Sequence, residues 1–326
     1  MNRFGNMLRI SIFGESHGEA VGVTIDGVKA GMPISEELFR EDLLRRRAGS
    51  MGTTTRIESD IPTFISGIYN GYTTGAPLTI LFKNENQRSS DYAESSAHFR
   101  PSHADWSANR KYNGYNDPRG GGHLSGRLTL GIVAAGVIAK EILGKEVSFR
   151  TSLIEVGGST DREHFSEIID KAKAEGDSVG GVVECRVEGV EATLGEPIFD
   201  SVESLAAHLI FSIPGVKGVE FGSGFEAARM RGSQHNDAIL NDKGLTATNN
   251  SGGIVGGITN GNPIILRAAF KPTPSIALPQ LTYNAASERV ETLTIKGRHD
   301  SCIALRGAVV VEAALAIALA ELKLCK

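Results

Sequence analysis

The apolar and polar positions along this chain follow two different periods. Runs with period two are typical of strands with one buried face, and runs with period three to four are typical of helices. Clusters of glycine, asparagine and proline mark the breaks between runs. On this basis strands are expected at 8–13, 21–25, in two or three runs within 61–84, at 146–155, 181–187 and 218–221, and helices at 35–47, 128–143, 161–176, 201–211 and 308–322.

No linker separates these elements, and no repeat with a period of 20–50 residues is visible in the sequence. We therefore expect one domain that covers residues 1–326. Apolar residues make up 40% of the chain and charged residues 22%, which is typical of a folded protein with a hydrophobic core.

Three consecutive glycines, Gly120–Gly122, precede the longest predicted buried helix. Glycine has no side chain to pack, so its use here indicates positive φ angles or a close approach of the backbone to a ligand. The helix start that follows is suited to an anion, and Arg119, His123, Ser125 and Arg127 add donors beside it. The segment is either a phosphate site or a tight turn in which Ser125 caps the helix, and the two interpretations are about equally supported.

The formal net charge of −4 argues against nucleic acid or an anionic membrane as a partner. Any anion site must therefore come from a local cluster of cations. The most apolar segment, 309–324, contains Glu312 and Glu321 and is too short to span a bilayer.

Cysteine usage and the N-terminus indicate the compartment. The three cysteines are odd in number, their spacing fits no metal site, and no basic-then-apolar signal peptide begins the chain. A cytoplasmic protein is expected.

Two histidines stand out as candidate proton-handling groups. His17 follows Ser16 in a glycine-bounded turn between two predicted strands, and His103 lies two residues before Asp105. A histidine near a carboxylate can act as an acid or base, but it can as well be a structural residue. Asp300, which follows an arginine and a histidine, is open to the same two interpretations.

Several other segments are suited to anions. The arginine run 45–47 could clamp carboxylates or phosphates, although cations at a helix end are ordinary. Segment 248–261 is too rich in glycine and asparagine for a core strand and suggests a backbone exposed to a ligand. Segment 271–275 offers an ammonium and two hydroxyls on a proline-stiffened stretch. No P-loop and no Rossmann glycine motif is present.

Together these segments resemble one family, chorismate synthase, in the same order and over nearly the whole chain. The matching motifs are Gly-Glu-Ser-His-Gly at 14–18, the arginine run at 45–47, Arg-Pro-x-His-Ala-Asp at 100–105, Arg-Gly-Gly-Gly at 119–122, Arg-Gly-Ser-Gln at 231–234, the Asn-Asn and Gly-Gly repeats at 249–258, Lys-Pro-Thr-x-Ser at 271–275 and Gly-Arg-His-Asp at 297–300.

The resemblance implies an α+β fold, a β-α-β sandwich with an internal duplication, assembled as a homotetramer. It also implies the last step of the shikimate pathway, in which 5-enolpyruvylshikimate 3-phosphate loses phosphate by anti-1,4-elimination and becomes chorismate. The family requires reduced FMN although the reaction has no net redox change, and NADPH is a possible reductant.

The same resemblance implies roles for individual residues. His17, with Ser16 beside it, matches the proposed proton donor to the leaving phosphate, and His103 the histidine at the flavin. Asp300 matches the acid that helps to take the ring hydrogen, and Ser125 is a further catalytic candidate. Substrate binding is expected from Arg46, Arg47 and Arg127. Binding of FMN is expected from His123, Leu124, Ser125, Gly256, Lys271, Pro272, Thr273, Pro274, Ser275 and Arg298.

The chain departs from the usual family pattern at His123-Leu124, at Pro214-Gly215 and at Met51, where other members often carry Arg-Ser, Asn-Ala and an arginine. Two other functions remain open from the residues alone. One is an FMN oxidoreductase that consumes NADPH, and the other is a sensor of a phosphorylated metabolite.

Overall fold

The computed structural model describes residues 2–49, 52–53, 58–85, 97–295 and 299–326. Met51, Arg298 and residues 87–96 of the polar segment after the first sheet lie outside the described residues.

The described strands and helices agree in most places with the pattern of the sequence. The strands are β1 Arg3–Phe4, β2 Arg9–Gly14, β3 Ala20–Asp26, β4 Thr63–Ser66, β5 Ile68–Tyr69, β6 Tyr72–Thr73, β7 Leu78–Lys83, β8 Ser148–Val156, β9 Gly181–Glu188, β10 Val216–Phe221, β11 Ile254–Val255, β12 Ile258–Thr259, β13 Ile264–Phe270, β14 Gln280–Asn284 and β15 Arg289–Leu293. The helices are α1 Glu36–Arg46, α2 Asp105–Lys111, α3 Thr129–Leu143, α4 Phe165–Ala174, α5 Val202–Phe211, α6 Gly232–His235 and α7 Ala304–Cys325.

Two antiparallel sheets enclose the helices α3 and α7. In the described residues the first sheet has the order β1-β2-β3-β7-β4 and the second the order β10-β13-β9-β8. Helix α3 packs on β2, β3 and β7, helix α7 packs on β8, β9 and β13, and the two helices pack on each other. The layers are therefore sheet, helices, sheet, as the resemblance implies.

The internal duplication is visible in the topology. The first half runs β2, β3, α1, β4, β7, α3 and pairs its strands in the order β2-β3-β7-β4. The second half runs β8, β9, α5, β10, β13, α7 and pairs its strands in the equivalent order, β8-β9-β13-β10. Helix α4 is an addition between β8 and β9. The sequence periodicity did not reveal this repeat.

The two central helices are buried on nearly every side, which explains why their sequences are apolar without a polar face. They approach each other closely at Gly136, where an added Cβ would lie 2.6 Å from the Ala313 Cα. Only glycine allows this approach. In the described part of the chain, each helix is too short or too polar to cross a membrane.

The structure also shows elements that the sequence did not predict: β13, the hairpin β14–β15 and α2. Strand β13 was missed because Arg267 interrupts its apolar run. In the sheet, Arg267 lies on the outer face and donates to Glu184 on β9 at 2.8 Å and to Glu220 on β10 at 3.3 Å. Neighbouring strands thus supply the partners that make this arginine acceptable in a central strand.

Glu312, in the middle of the apolar α7, belongs to a group of four charges in which the two carboxylates, Asp42 and Glu312, are buried. Arg45 on α1 donates to both of its carboxylate oxygens, at 2.8 and 2.6 Å. Lys140 on α3 donates to Glu312 and to Asp42 of α1, at 2.6 Å each. Burial alone would raise the pKa of Glu312, but these donors outweigh burial and lower it to about 2. The group joins α1, α3 and α7 with balanced charge.

Replacing Glu312 by glutamine should lower the free energy of unfolding by about 2–4 kcal/mol at pH 7, since it leaves Arg45 and Lys140 without their shared carboxylate. Because the folded pKa is lower than the ordinary value of 4.5, Glu312 contributes stability above that pH and loses it as the pH falls toward 2. Urea unfolding of both proteins from pH 7 to pH 3 should therefore show a shrinking difference. Glu141→Gln, at an exposed position on α3, is the matched control and should change stability by less than about 0.5 kcal/mol.

Candidate active site

A cavity of about 840 Å³ opens between the two sheets at one end of the central helices. This volume lies within the range of pockets that hold small ligands and cofactors. Among the described residues that line it, arginine and lysine outnumber carboxylates: the cations are Arg3, Arg46, Arg100, Arg127, Lys217, Lys271 and Arg306, and the anions are Glu58 and Asp300. A chain with a net charge of −4 thus concentrates positive charge here, which favours an anionic ligand.

The glycine turn lies between the two candidate histidines. A Cβ added to Gly120 would lie 2.2 Å from Cε1 of His17, and one added to Gly121 would lie 3.3 Å from Cε1 of His103. All three glycines have positive φ, between 53° and 85°. The tight-turn interpretation is confirmed, since Ser125 caps the short 3-10 turn that follows by accepting from the Arg127 N–H. The phosphate-site interpretation stays a prediction.

The turn at 14–18 is held against the glycines. The backbone N–H of Ser16 donates to the Gly122 carbonyl at 3.1 Å, and His123 Nδ1 donates to the Gly14 carbonyl at 2.9 Å. Ser16 and His17 are 2% and 3% exposed. Ser16 lines the cavity, and His17 lies against Gly120, which also lines it.

His103 is oriented by a carboxylate. Its Nδ1 donates to Asp105 Oδ1 at 2.6 Å, and Arg100 donates to both Asp105 oxygens at 2.7 Å each. Burial would raise the pKa of Asp105, but the hydrogen bonds from Arg100 and His103 outweigh it and hold that pKa well below its usual range. Asp105 is therefore an anion at neutral pH, and its hydrogen bond to Nδ1 fixes the orientation of the His103 ring.

Replacing Asp105 by asparagine should lower kcat on the order of 10–100-fold, because His103 loses the carboxylate that orients its ring. Phosphate release under anaerobic conditions measures the effect. The control is Asp161→Asn, which alters an exposed pair in which His164 Nδ1 lies 2.9 Å from Asp161 Oδ2. Equal rates for the Asp105 variant and the wild type would show that the pair has no part in turnover.

Arg46 and Arg127 reach the cavity from α1 and from the start of α3. Asp60 lies between them, 2.9 Å from Arg127 Nη1 and 3.6 Å from Arg46 Nη1. The longer distance is no hydrogen bond, and Nη1 of Arg46 has no hydrogen-bond acceptor among the described residues. Burial lowers the pKa of Arg46 to about 9, and the charge of Arg306 adds to the effect. The guanidinium is still charged at pH 7 and is poised for an anionic ligand.

Asp300 lies at the start of α7 on the same cavity wall. Arg306 donates to its Oδ2 at 3.0 Å and, through Nε, to the Arg46 carbonyl at 2.8 Å. Arg306 thus ties the carboxylate to the end of α1.

The segment after β13 forms the opposite wall. Lys271 Nζ donates to the Ser102 carbonyl at 2.5 Å, and Ser275 Oγ accepts from Arg100 at 3.3 Å. The Thr273 hydroxyl is buried and makes no hydrogen bond within the described residues. Burial, and then the positive charge of Lys217, lower the pKa of Lys271. An unpartnered hydroxyl beside two lysines is suited to a phosphate oxygen.

Most of the residues predicted from the sequence line this one cavity or touch a residue that does. Those on the lining are Ser16, Arg46, His103, His123, Leu124, Ser125, Arg127, Lys271, Thr273, Pro274, Ser275 and Asp300, with His17 against Gly120. Gly256 is not on the cavity lining and lies in the turn of the β11–β12 hairpin. The carbonyl of the next residue, Gly257, accepts a hydrogen bond from the N–H of Val202 on α5. Arg47 follows the last residue of α1, and neither it nor Pro272 is on the lining.

The residues of the site that were not predicted include Lys217 and Arg306 on the lining, and Asp60 and Asn84, which contact Arg127. Asp60 and Asn84 lie in or beside strand segments without a distinctive motif, and only their partners reveal them. Lys217 directly precedes the strand predicted at 218–221, and Arg306 interrupts the apolar start of α7. For Lys217 and Arg306, a charged residue in or beside an apolar run was the sequence feature that could have indicated a site residue.

Comparison with known proteins agrees with the geometry. A family model described as chorismate synthase matches residues 8–324. The chorismate synthase of Chitinophaga pinensis is 58% identical over 324 residues, which are 99% of this chain and 97% of the relative. That of Korarchaeum cryptofilum is 46% identical over 98% of this chain and 96% of its own. A solved crystal structure of chorismate synthase superposes with a TM-score of 0.74 at 28% identity, covering 98% of this chain and 92% of that one. This chain belongs to the chorismate synthase family.

Proposed function

We propose that the protein converts 5-enolpyruvylshikimate 3-phosphate into chorismate and phosphate with the help of reduced FMN, as the last step of the shikimate pathway. The observation that carries the proposal is the cavity in which two oriented histidines lie on either side of the glycine turn within a cluster of arginines and lysines. The substrate has two carboxylates and a phosphate, so it matches this excess of positive charge.

The residues present fit FMN. Its phosphate matches Lys271, Lys217 and the buried Thr273 hydroxyl that has no hydrogen-bond partner within the described residues. The planar ring system has room beside apolar lining residues such as Ile303 and Phe270. Reduced FMN, when bound, supplies electron density that helps phosphate to leave. Gly256 and Arg298 remain predicted FMN ligands, and NADPH remains a possible reductant.

Each polar group has a role in the elimination. The bond between the ring carbon and the phosphate oxygen breaks, and His17 gives a proton to the departing phosphate, with Ser16 beside it. A ring hydrogen leaves on the opposite side of the conjugated system, and its bonding electrons form the new double bond. Asp300, held by Arg306, receives that hydrogen as a proton. His103, with Asp105, holds a proton where the flavin binds, and Ser125 orients the glycine turn.

Arg46 and Arg127, which line the cavity, hold the substrate anions in this proposal, and Arg47 remains a predicted substrate ligand that lies off the lining. Exclusion of water from the cavity strengthens every such contact, because the effective dielectric constant is lower there. Arg46 is suited to the task because its side chain is buried and its Nη1 has no hydrogen-bond partner within the described ranges of the chain.

We also propose a cytoplasmic homotetramer. Large apolar side chains such as Phe199, Phe225 and Ile239 are 84%, 76% and 74% exposed in the single chain, and an interface would cover them. Light scattering of the purified protein tests the assembly, and a monomer at micromolar concentration would contradict it.

The test of the activity is anaerobic turnover of 5-enolpyruvylshikimate 3-phosphate with chemically reduced FMN. Chorismate and phosphate should appear in equal amounts, and neither should appear with oxidised FMN. A parallel reaction with NADPH and oxidised FMN shows whether the chain reduces its own flavin. Oxidation of NADPH without formation of chorismate would instead favour the oxidoreductase.

A further inference from the structure

Asn84 joins two parts of the site that lie far apart in the sequence. It follows the last residue of β7, and β7 lies beside β3, with Lys83 paired to Ala20. The turn at 14–18 connects β2 to β3, so the end of β7 is brought next to this turn by strand pairing. The backbone N–H of Asn84 continues the ladder and donates to the Glu19 carbonyl at 3.1 Å.

The side-chain amide of Asn84 holds both ends of the histidine turn. Its Nδ2 donates to the Glu15 carbonyl at 3.0 Å and to the Gly18 carbonyl at 2.8 Å. These two carbonyls lie on either side of Ser16 and His17. A single NH₂ group therefore fixes the two backbone points between which the candidate proton donor is held.

The other end of the same amide holds Arg127. Its Oδ1 accepts a hydrogen bond from Arg127 Nε. The remaining guanidinium contacts are from Nη1 to Asp60 Oδ1 at 2.9 Å and from Nη2 to the Lys83 carbonyl at 3.0 Å. The arginine side chain is 8% exposed, so its direction is set by these partners.

Only an amide can make this set of contacts, since the position requires two N–H donors and one acceptor on the same short side chain. A carboxylate would keep the acceptor for Arg127 but would repel the two carbonyls. A displacement of about 1 Å at a reacting group can lower a rate by about 10²-fold. A shift of this size in His17 or Arg127 after loss of the Asn84 contacts would therefore lower the rate measurably.

We infer that Asn84 is a positioning residue for the reaction. It sets the distance between His17 and the substrate anion bound by Arg127. The inference rests on the proposed function and extends it to a residue outside every motif that identified the site. Asn84 acts through its two neighbours and does not touch the substrate.

The test compares Asn84→Asp and Asn84→Ala with Asn262→Asp. Asn262 is a matched control because it is a buried asparagine whose Nδ2 donates to the Gly244 carbonyl at 2.9 Å and whose Oδ1 accepts from the Thr246 N–H at 3.2 Å. Asn84→Asp should lower kcat by about 10–100-fold, with KM for the substrate changed by less than about 3-fold, because the acceptor for Arg127 is kept. Asn84→Ala should also raise KM, since Arg127 loses that partner. The control variant, Asn262→Asp, should change neither kcat nor KM.

A double-mutant cycle separates positioning from general stability. In a His17→Ala background, Asn84→Asp should lower kcat by less than about 2-fold, because the group that it positions is absent. If the full reduction persists there, or if Asn84→Asp turns over at the wild-type rate, the inference is wrong.

A readout without turnover separates this inference from the proposed function. Hydrogen exchange of the backbone amides at 15–18 should become faster in Asn84→Asp and not in Asn262→Asp. If the wild-type protein makes no chorismate but Asn84→Asp shows this faster exchange, the proposed function is contradicted and the positioning role of Asn84 is kept. Unchanged exchange in a folded Asn84→Asp protein would overturn the positioning.

Discussion

Replacing His17 by alanine should lower kcat for chorismate formation by about 10²–10⁴-fold, the usual contribution of a general acid. His17 is 3% exposed and lies against Gly120, which lines the cavity, so the ring is held in a fixed position beside the site. Phosphate is a poor leaving group unless its charge is neutralised as the bond breaks. With alanine at this position, the 14–18 turn loses its imidazole, which is the group proposed to supply the proton.

The measurement is release of phosphate and formation of chorismate under anaerobic conditions with excess reduced FMN. His164→Ala serves as the control, because that side chain is 58% exposed and distant from the cavity. Added imidazole should restore part of the lost rate in the His17 variant and none in an unrelated variant. Phosphate release at the wild-type rate by His17→Ala would show that another group protonates the leaving phosphate.

Replacing Gly120 by alanine should lower kcat by about 10²–10³-fold without removing any functional group. The added Cβ would lie 2.2 Å from Cε1 and 2.4 Å from Nδ1 of His17, so the ring or the turn must move by more than 1 Å, which is enough for a loss of this size. A further cost arises because Gly120 has a φ of 58°, where an alanine is strained by about 1–2 kcal/mol.

Two comparisons test this explanation. Gly232→Ala is the control, since its added Cβ meets no atom within 4 Å. In addition, Gly120→Ala should cost far less in a His17→Ala background, because the two changes act on the same side chain. Additive effects in that double variant would mean that the glycine acts through binding of a ligand and not through His17.

The agreement between sequence and structure is best where the pattern is local. The predicted strands and helices are present with small shifts at their ends, because hydrophobic periodicity and glycine breaks depend only on neighbours in the chain. The family motifs likewise occur as short runs, and six of the eight contribute at least one described residue to the lining of one cavity.

The arginine run at 45–47 shows what a local pattern leaves open. Consecutive helical residues point in directions about 100° apart, so the three side chains cannot face one ligand. In the structure, Arg45 donates to the buried Glu312, Arg46 lines the cavity, and Arg47 lies just after the end of the helix. Which arginine faces which partner depends on how α1 packs on α7, and this is not encoded in the run itself.

By itself, the sequence determined the main strands and helices, the burial of the two apolar helices, the family and the chemistry that the motifs imply. Only the tertiary structure decided how these parts meet. It revealed the repeated strand order of the two halves, the partners of Glu312, and the contacts of Asp60, Asn84 and Arg306. The reason is physical: a hydrogen bond or ion pair between residues far apart in the chain depends on strand pairing and helix packing, and composition and spacing do not record these.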